Sequence, residues 1–277
     1  MDHWNSSTVR GSTLTSWPIK THYHLTSNFV VCYSEIERET HHMKFELLSV
    51  DSDAKTSKGM KRGYLTGVLY LAPAMEADGE HNMCLMATAE CMAGCLWKAG
   101  RAAFMPNIIK ARIRKTLWYL RDVEAFKEAF KEALRRDVAR LVRMAEKLGM
   151  IPAVRVNGTS DQPKLAMAIA KEFPSVMFYD YTKLGKPWNR VRKNYHVTYS
   201  FSGENLKHSL MALARGVNVA VVFQKELPRT WNGFEVVDGD RDDLRFLDPR
   251  GVVVGLKAKG PAKRLKAGGF VQIASAA

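Results

Sequence analysis

The sequence predicts an α/β protein built on a partial or complete parallel (β/α) barrel of about six strands. Three observations predict it. Beyond residue 43, short apolar runs alternate with longer amphipathic stretches, the pattern of repeated strand-to-helix crossovers. The chain has 277 residues, 46% of them apolar and 25% charged, which suffices for one sizeable core. No apolar run approaches the roughly 18 residues of a membrane span, and the N-terminus carries no apolar signal core, so the chain reads as a soluble, cytoplasmic protein.

Taken in order, the strands are 65–72 (LTGVLYLA), 151–157 (IPAVRVN), 175–180 (SVMFYD), 195–201 (YHVTYSF), 217–223 (VNVAVVF) and 251–256 (GVVVGL). Between the first two, Ile109, Ile113, Leu117 and Leu120 repeat at helical spacing. A second helix follows with Phe126, Phe130, Leu134, Val138, Leu141 and Ala145 on one face, Asp122 as its N-cap and an end near Gly149. Shorter helices are expected over residues 163–173 and 203–215, the latter stopping before Gly216. Strands separated by helices pair in parallel through right-handed crossovers.

The two ends differ from this body. Residues 1–42 hold five of the eight histidines and twelve Ser/Thr, with three Lys/Arg against four Asp/Glu. They read either as a small element packing through Trp4, Trp17 and NFVVCYSEI or, the reading favoured here, as a leader outside the native fold, followed by a barrel-like domain over 43–262. Residues 263–277 read as a basic, flexible tail. The formal charge of +14 implies attraction to polyanions, so a nucleotide or nucleic acid is an expected partner of the basic surface.

Cys84, Cys91 and Cys95 fall within twelve residues, just after the first strand. In a chain without a secretory signal, thiols at this density point to metal ligation rather than to disulfides. With His81 they make the closed tetrahedral set of a structural zinc. Without it, three thiolates suit an iron–sulfur cluster with one iron open to an outside ligand. Three unliganded thiols packed as small hydrophobes are the remaining alternative.

In parallel barrels the chemistry sits at the carboxyl ends of the strands. Those positions hold Asn157, Thr159, Ser160 and Asp161 after the second strand, Asp180, Thr182 and Lys183 after the third, and Ser200, Ser202 and Glu204 after the fourth. Lys183, Asp180 and Asp161 are the candidate catalytic groups, and Asn157, Thr159, Ser160, Ser200 and Ser202 the candidate cofactor contacts. Ser160, Asp161 and Ser202 each precede a predicted helix and alternatively cap it. Asp238, Asp240 and Asp242 have the first spacings of a calcium loop, but Asp243 takes the glycine place and Pro249 the last one, so a loop braced by Arg245 with Asp240 or Asp248 is expected.

The segments GYLTGVLYLAPA, CLWKAGRAAF, VRVNGTSD, FYDYTK, YHVTYSFS, NVAVVF and RFLDPRGVVVGLKAKG, in that order, resemble a family of uncharacterised tailed-phage proteins from residue 43 to about 272. That resemblance places the protein in an infected bacterial host. More distantly, a three-cysteine loop directly after the first of six parallel strands is similar to radical S-adenosylmethionine enzymes. This likeness implies Cys84, Cys91 and Cys95 as ligands of a four-iron four-sulfur cluster and S-adenosylmethionine as the second cofactor. The spacing departs from that superfamily, with gaps of six and three residues, and Asn157-Gly158-Thr159 stands where a Gly-Gly-Glu run is usual. The expected function is radical-type modification of a nucleotide, nucleic acid or other substrate. The alternative is a zinc-stapled, non-catalytic protein that binds nucleic acid or a host protein.

Overall fold

The computed structural model describes residues 46–50, 54–121, 124–185 and 192–274. Asp122, expected as an N-cap, and the leader residues lie outside these. The six expected strands are all present, as β2 (Tyr64–Leu69), β3 (Ile151–Arg155), β4 (Met177–Thr182), β5 (Tyr195–Ser200), β6 (Val219–Phe223) and β9 (Val253–Lys257). Four further strands join them: β1 (Leu48–Val50), the pair β7 (Thr230–Trp231) and β8 (Phe234–Asp238), and β10 (Val271–Gln272). The helices are α1 (Ala54–Met60), α2 (Ala89–Ala93), α3 (Pro106–Leu120), α4 (Glu124–Leu148), α5 (Pro163–Glu172) and α6 (Leu206–Ala214).

The strands make one mostly parallel sheet in the order β1-β2-β3-β4-β5-β6-β9-β8-β7. It is open, so the expectation of a complete barrel does not hold. The physical reason is edge pairing. The free edge of β2 is taken by antiparallel β1, and that of β9 by parallel β8, which carries β7 in turn, so no two edges are left to meet. Within the run β2 to β6 each strand lies beside the next in sequence, as expected when every crossover turns the same way and leaves its helix on one face.

That face holds the core. Phe130, Leu134, Val138 and Leu141 of α4 and Leu165 and Ile169 of α5 are buried against Leu65, Val154, Phe178 and Val197 of successive strands. Ala212 and Leu213 of α6 close a second cluster on Tyr199, Val219, Val221 and Val253. The period-two alternation of the strands sends the other residues to the opposite face, which is unusually polar for a buried surface. There Arg155 pairs with Asp243 at 3.1 Å and lies over the Tyr181 ring, Tyr179 donates to Asp243 at 3.0 Å, and Phe246 meets Tyr64 and Tyr179 edge-on. The segment 240–248 therefore covers this face. Arg245 braces it through Asp242 and the expected Asp248, while Asp240 pairs instead with Lys259.

At the carboxyl ends, β6 changes neighbours. Val219 and Ala220 pair with β5, but Val222 and Phe223 pair with β10, which takes over where β5 stops. The crossing is tight: a Cβ on Gly203, which has φ +94°, would stand 2.7 Å from the Phe270 nitrogen. The C-terminal segment thus returns over the end of the sheet that carries the cysteine loop.

Candidate functional site

The loop after β2 is built from polar ties to its neighbours. Met83 bonds Ala74 through its N–H and accepts the Asp161 N–H at 2.9 Å. Thr159 Oγ1 donates to the Leu71 carbonyl, and the Cys84 thiol donates to the Thr159 carbonyl at 3.8 Å. Thr88 caps α2 by accepting the Cys91 N–H at 3.2 Å and donates its hydroxyl to Ser202 O at 2.8 Å. Glu90 accepts the Phe270 N–H at 2.6 Å, which fastens the C-terminal return to the same helix. The loop is held by the turns after β3 and β5 and by the approach to β10.

These ties bring the three thiols together around Lys183. Lys183 lies within electrostatic reach of Cys91 and Cys84. Cys95 is in turn within reach of Cys84, Cys91 and Lys183. All three cysteines are reduced and half-buried. Burial pushes the Cys84 thiol up to about 11 and also raises Cys95, so both are protonated at neutral pH. For Lys183, burial works against the charge, but its acidic neighbours, the Asp161 carboxyl among them, outweigh it and raise its pKa. Half-buried and protonated, Cys84 and Cys95 are poor nucleophiles.

His81 stands apart. Its Nδ1 bonds Asp78 at 2.7 Å, and 57% of its side chain is exposed. Among the described residues no group of three or more His, Cys, Asp or Glu is arranged to hold a single metal ion.

The candidate catalytic carboxylates divide. Asp161 accepts from Thr182 Oγ1 at 2.7 Å and from the Lys183 N–H at 2.8 Å, so it positions the lysine backbone, and burial raises its pKa. Asp180 is 1% exposed and saturated by Asn157 N–H at 2.7 Å, Asn157 Nδ2 at 2.9 Å and Tyr195 OH at 3.2 Å. It ties β3, β4 and β5 together and does not join the thiols. Asn157 is thereby a brace as well, its Oδ1 accepting from Ser160 Oγ and the Gln162 N–H. The N-cap of α5 is Gln162 and that of α6 is Asn205, neither with a side-chain cap, so Ser160, Asp161 and Ser202 cap nothing. Ser200 and Ser202 are held through their backbones by Asn205, which accepts the Ser202 N–H and donates to the Ser200 carbonyl. Of the predicted set, the structure gathers Cys84, Cys91, Cys95, Lys183, Asp161 and Thr159. Thr88, Glu90 and Asn205 were missed: only the fold brings Ser202 to Thr88 and Phe270 to Glu90, whereas Asn205 bonds Ser200 and Ser202 within its own turn.

Burial pushes Asp180 up to about 7 against the hydrogen bonds that favour its carboxylate. The folded state therefore holds a proton that the unfolded chain releases near pH 4. Stability from this group is full below pH 4 and is lost as pH rises to about 7, a fall of up to about 4 kcal/mol for a shift of about three units. Urea midpoints measured from pH 4 to 8 should show that decline in the wild type and a flatter profile in Asp180→Asn.

Together, an open mostly parallel α/β sheet with a cysteine loop at the carboxyl ends of its strands defines the class. Residues 46–273 match the family model described as Gene product 88, and the chain belongs to that family. The match agrees with the phage-type resemblance of the sequence. No curated protein and no solved structure matches the chain. Among the described residues no helix is long and apolar enough to cross a membrane.

Proposed function

We propose that this protein is an iron–sulfur protein in which Cys84, Cys91 and Cys95 hold a cluster at the carboxyl end of the parallel strands, for radical-type or related modification of a nucleotide, nucleic acid or other substrate. The feature that supports the reading is three half-buried, unpaired thiols in one loop, within electrostatic reach of Lys183. A single tetrahedral ion would need its donors roughly 4 Å apart, given metal–sulfur bonds of about 2.3 Å. No such group exists among the described residues, and His81 is engaged by Asp78. A cluster spreads its thiolates over separate irons and does not need donors that close. When bound, such a cluster supplies one-electron chemistry.

The chain's own groups support this role. Three thiolates bring negative charge into a half-buried place, and Lys183 is positioned to offset it. Asp161 fixes the lysine backbone, and the Thr159 carbonyl orients Cys84. The likeness to radical S-adenosylmethionine enzymes makes that molecule the proposed second cofactor. Because the Thr159 and Ser160 hydroxyls are already spent on Leu71 O and Asn157 Oδ1, Lys183 is the group left to receive a carboxylate beside the sulfurs.

Purification without oxygen tests the reading. The expected result is brown protein with about four irons and matching labile sulfide per chain, whose spectrum shifts on adding S-adenosylmethionine. Colourless protein that takes up no iron and sulfide on reconstitution would overturn it, and one equivalent of zinc would establish the stapled, non-catalytic alternative.

A further inference from the structure

Helix α3 is attached to the body at two places: Trp118, Tyr119 and Leu120 pack against the core at its C-terminal end, and two polar residues anchor its middle. Its buried residues are Lys115 and Thr116. Lys115 donates to the Leu47 carbonyl at 2.7 Å, and Thr116 Oγ1 accepts the Ala72 N–H at 2.7 Å. The apolar stripe lies elsewhere. Ile109, Ile113 and Leu117, at spacings of four, share a side of the helix, are half-buried, and belong to none of the three core clusters of the described residues. One step further along, Leu120 lines a cavity of about 330 Å³ with Leu165 and Ala168, rimmed by Lys127, Lys131 and Lys164. That volume is within the range of ligand pockets.

Charge runs beside the stripe. From Cys91 to Arg121 the chain holds seven Lys/Arg and no Asp or Glu. Lys110 and Arg114 are both exposed and follow Ile109 and Ile113 by one residue each, so a cationic edge borders the apolar seam. We propose that this seam and its terminal cavity form a docking groove for an acidic amphipathic helix of a partner protein, which lays its apolar side along Ile109, Ile113 and Leu117, seats one apolar side chain in the cavity and sets its carboxylates against the lysines.

Three other occupants fit less well. A second copy would place this cationic edge against itself. A bilayer is flat, whereas the cavity beside Leu120 calls for an inserted side chain. Single-stranded nucleic acid stacks its bases on exposed aromatic platforms, and the one aromatic residue lining the cavity, Tyr119, is half-buried.

The test uses the full chain and a labelled helical peptide of about 15 residues with leucine at helical spacing and glutamate between. Saturable binding is expected, at least tenfold weaker for a scrambled peptide and for Lys110→Glu, Ile113→Glu or Lys164→Glu, each variant checked for wild-type circular dichroism. Lys164→Glu lies on the cavity rim and remains informative if Ile113→Glu does not fold. Equal binding of the scrambled peptide, or no loss in the folded variants, would overturn the proposal. So would failure of the peptide, whether or not phosphatidylserine vesicles or an oligo-dT strand bind in its place.

Discussion

Replacing Arg245 by alanine is expected to cost about 3–5 kcal/mol, the usual penalty for removing one partner of a buried charge set. The guanidinium is fully buried and pairs with Asp242 at 3.2 Å and Asp248 at 3.1 Å, while donating to the Asp242 carbonyl at 2.8 Å. Burial works against its charge, but Tyr181, Asp248, Asp243 and Asp242 together hold it cationic. Asp242 would keep Arg62 at 2.8 Å. Asp248 has no other ion pair among the described residues, and its pKa is already raised by burial despite Arg245. A stranded carboxylate must then protonate or draw in water, and either loosens the segment that packs Phe246 between Tyr64 and Tyr179. The double variant Arg245→Leu with Asp248→Leu should recover much of the loss, because removing both partners leaves no orphan charge. Urea unfolding measures both. His196, pushed down to about 4 by burial and then by Arg245 and Arg250, supplies a second readout, since its titration should move up in Arg245→Ala. A cost below about 1 kcal/mol would mean that water already serves these groups.

How much of this could be read from the residues follows from the range of each signal. The six long strands announce themselves because β-branched and aromatic runs of five or six residues outweigh their surroundings. Strands β1, β7 and β10 have three, two and two residues, too few for any alternation to register, and they include two of the strands that decide whether the sheet is open. The three cysteines were visible as a cluster, and Lys183 as a residue at a strand end. That the lysine stands among the sulfurs depends on how β4 lies beside β3, which no local pattern encodes. Arg155 and Asp243 are 88 residues apart, and Glu90 and Phe270 are 180 apart. Helix α3 shows the opposite failure. Its periodicity gives the helix correctly, but periodicity is silent on which neighbour the apolar stripe meets: Leu120 reaches the core, whereas Ile109, Ile113 and Leu117 join none of the core clusters of the described residues.

Replacing Cys84, Cys91 or Cys95 singly by serine is expected to reduce bound iron from about four per chain to near zero, because each thiolate holds its own corner of a cluster and a hydroxyl is a hard, weakly acidic substitute. Cys32→Ser should leave the iron content unchanged. His81→Ala separates the two metal readings: it releases a zinc held by three sulfurs and an imidazole, but spares a three-thiolate cluster. The exposed pairing of His81 with Asp78 places the expectation on the second outcome. Metal-free folding should barely respond to the serine variants, since a half-buried thiol and a hydroxyl differ by about 1 kcal/mol or less in such places. That asymmetry is the diagnostic. Thiols kept only for packing would lose stability and no metal, whereas ligands lose metal first. Proton release gives an independent measure, because Cys84 near 11 and the raised Cys95 must each surrender a proton on ligation, so reconstitution should acidify the wild type and the acidification should vanish with the iron in the serine variants. Iron retained in all three serine variants would place the cluster, or the iron, elsewhere in the chain.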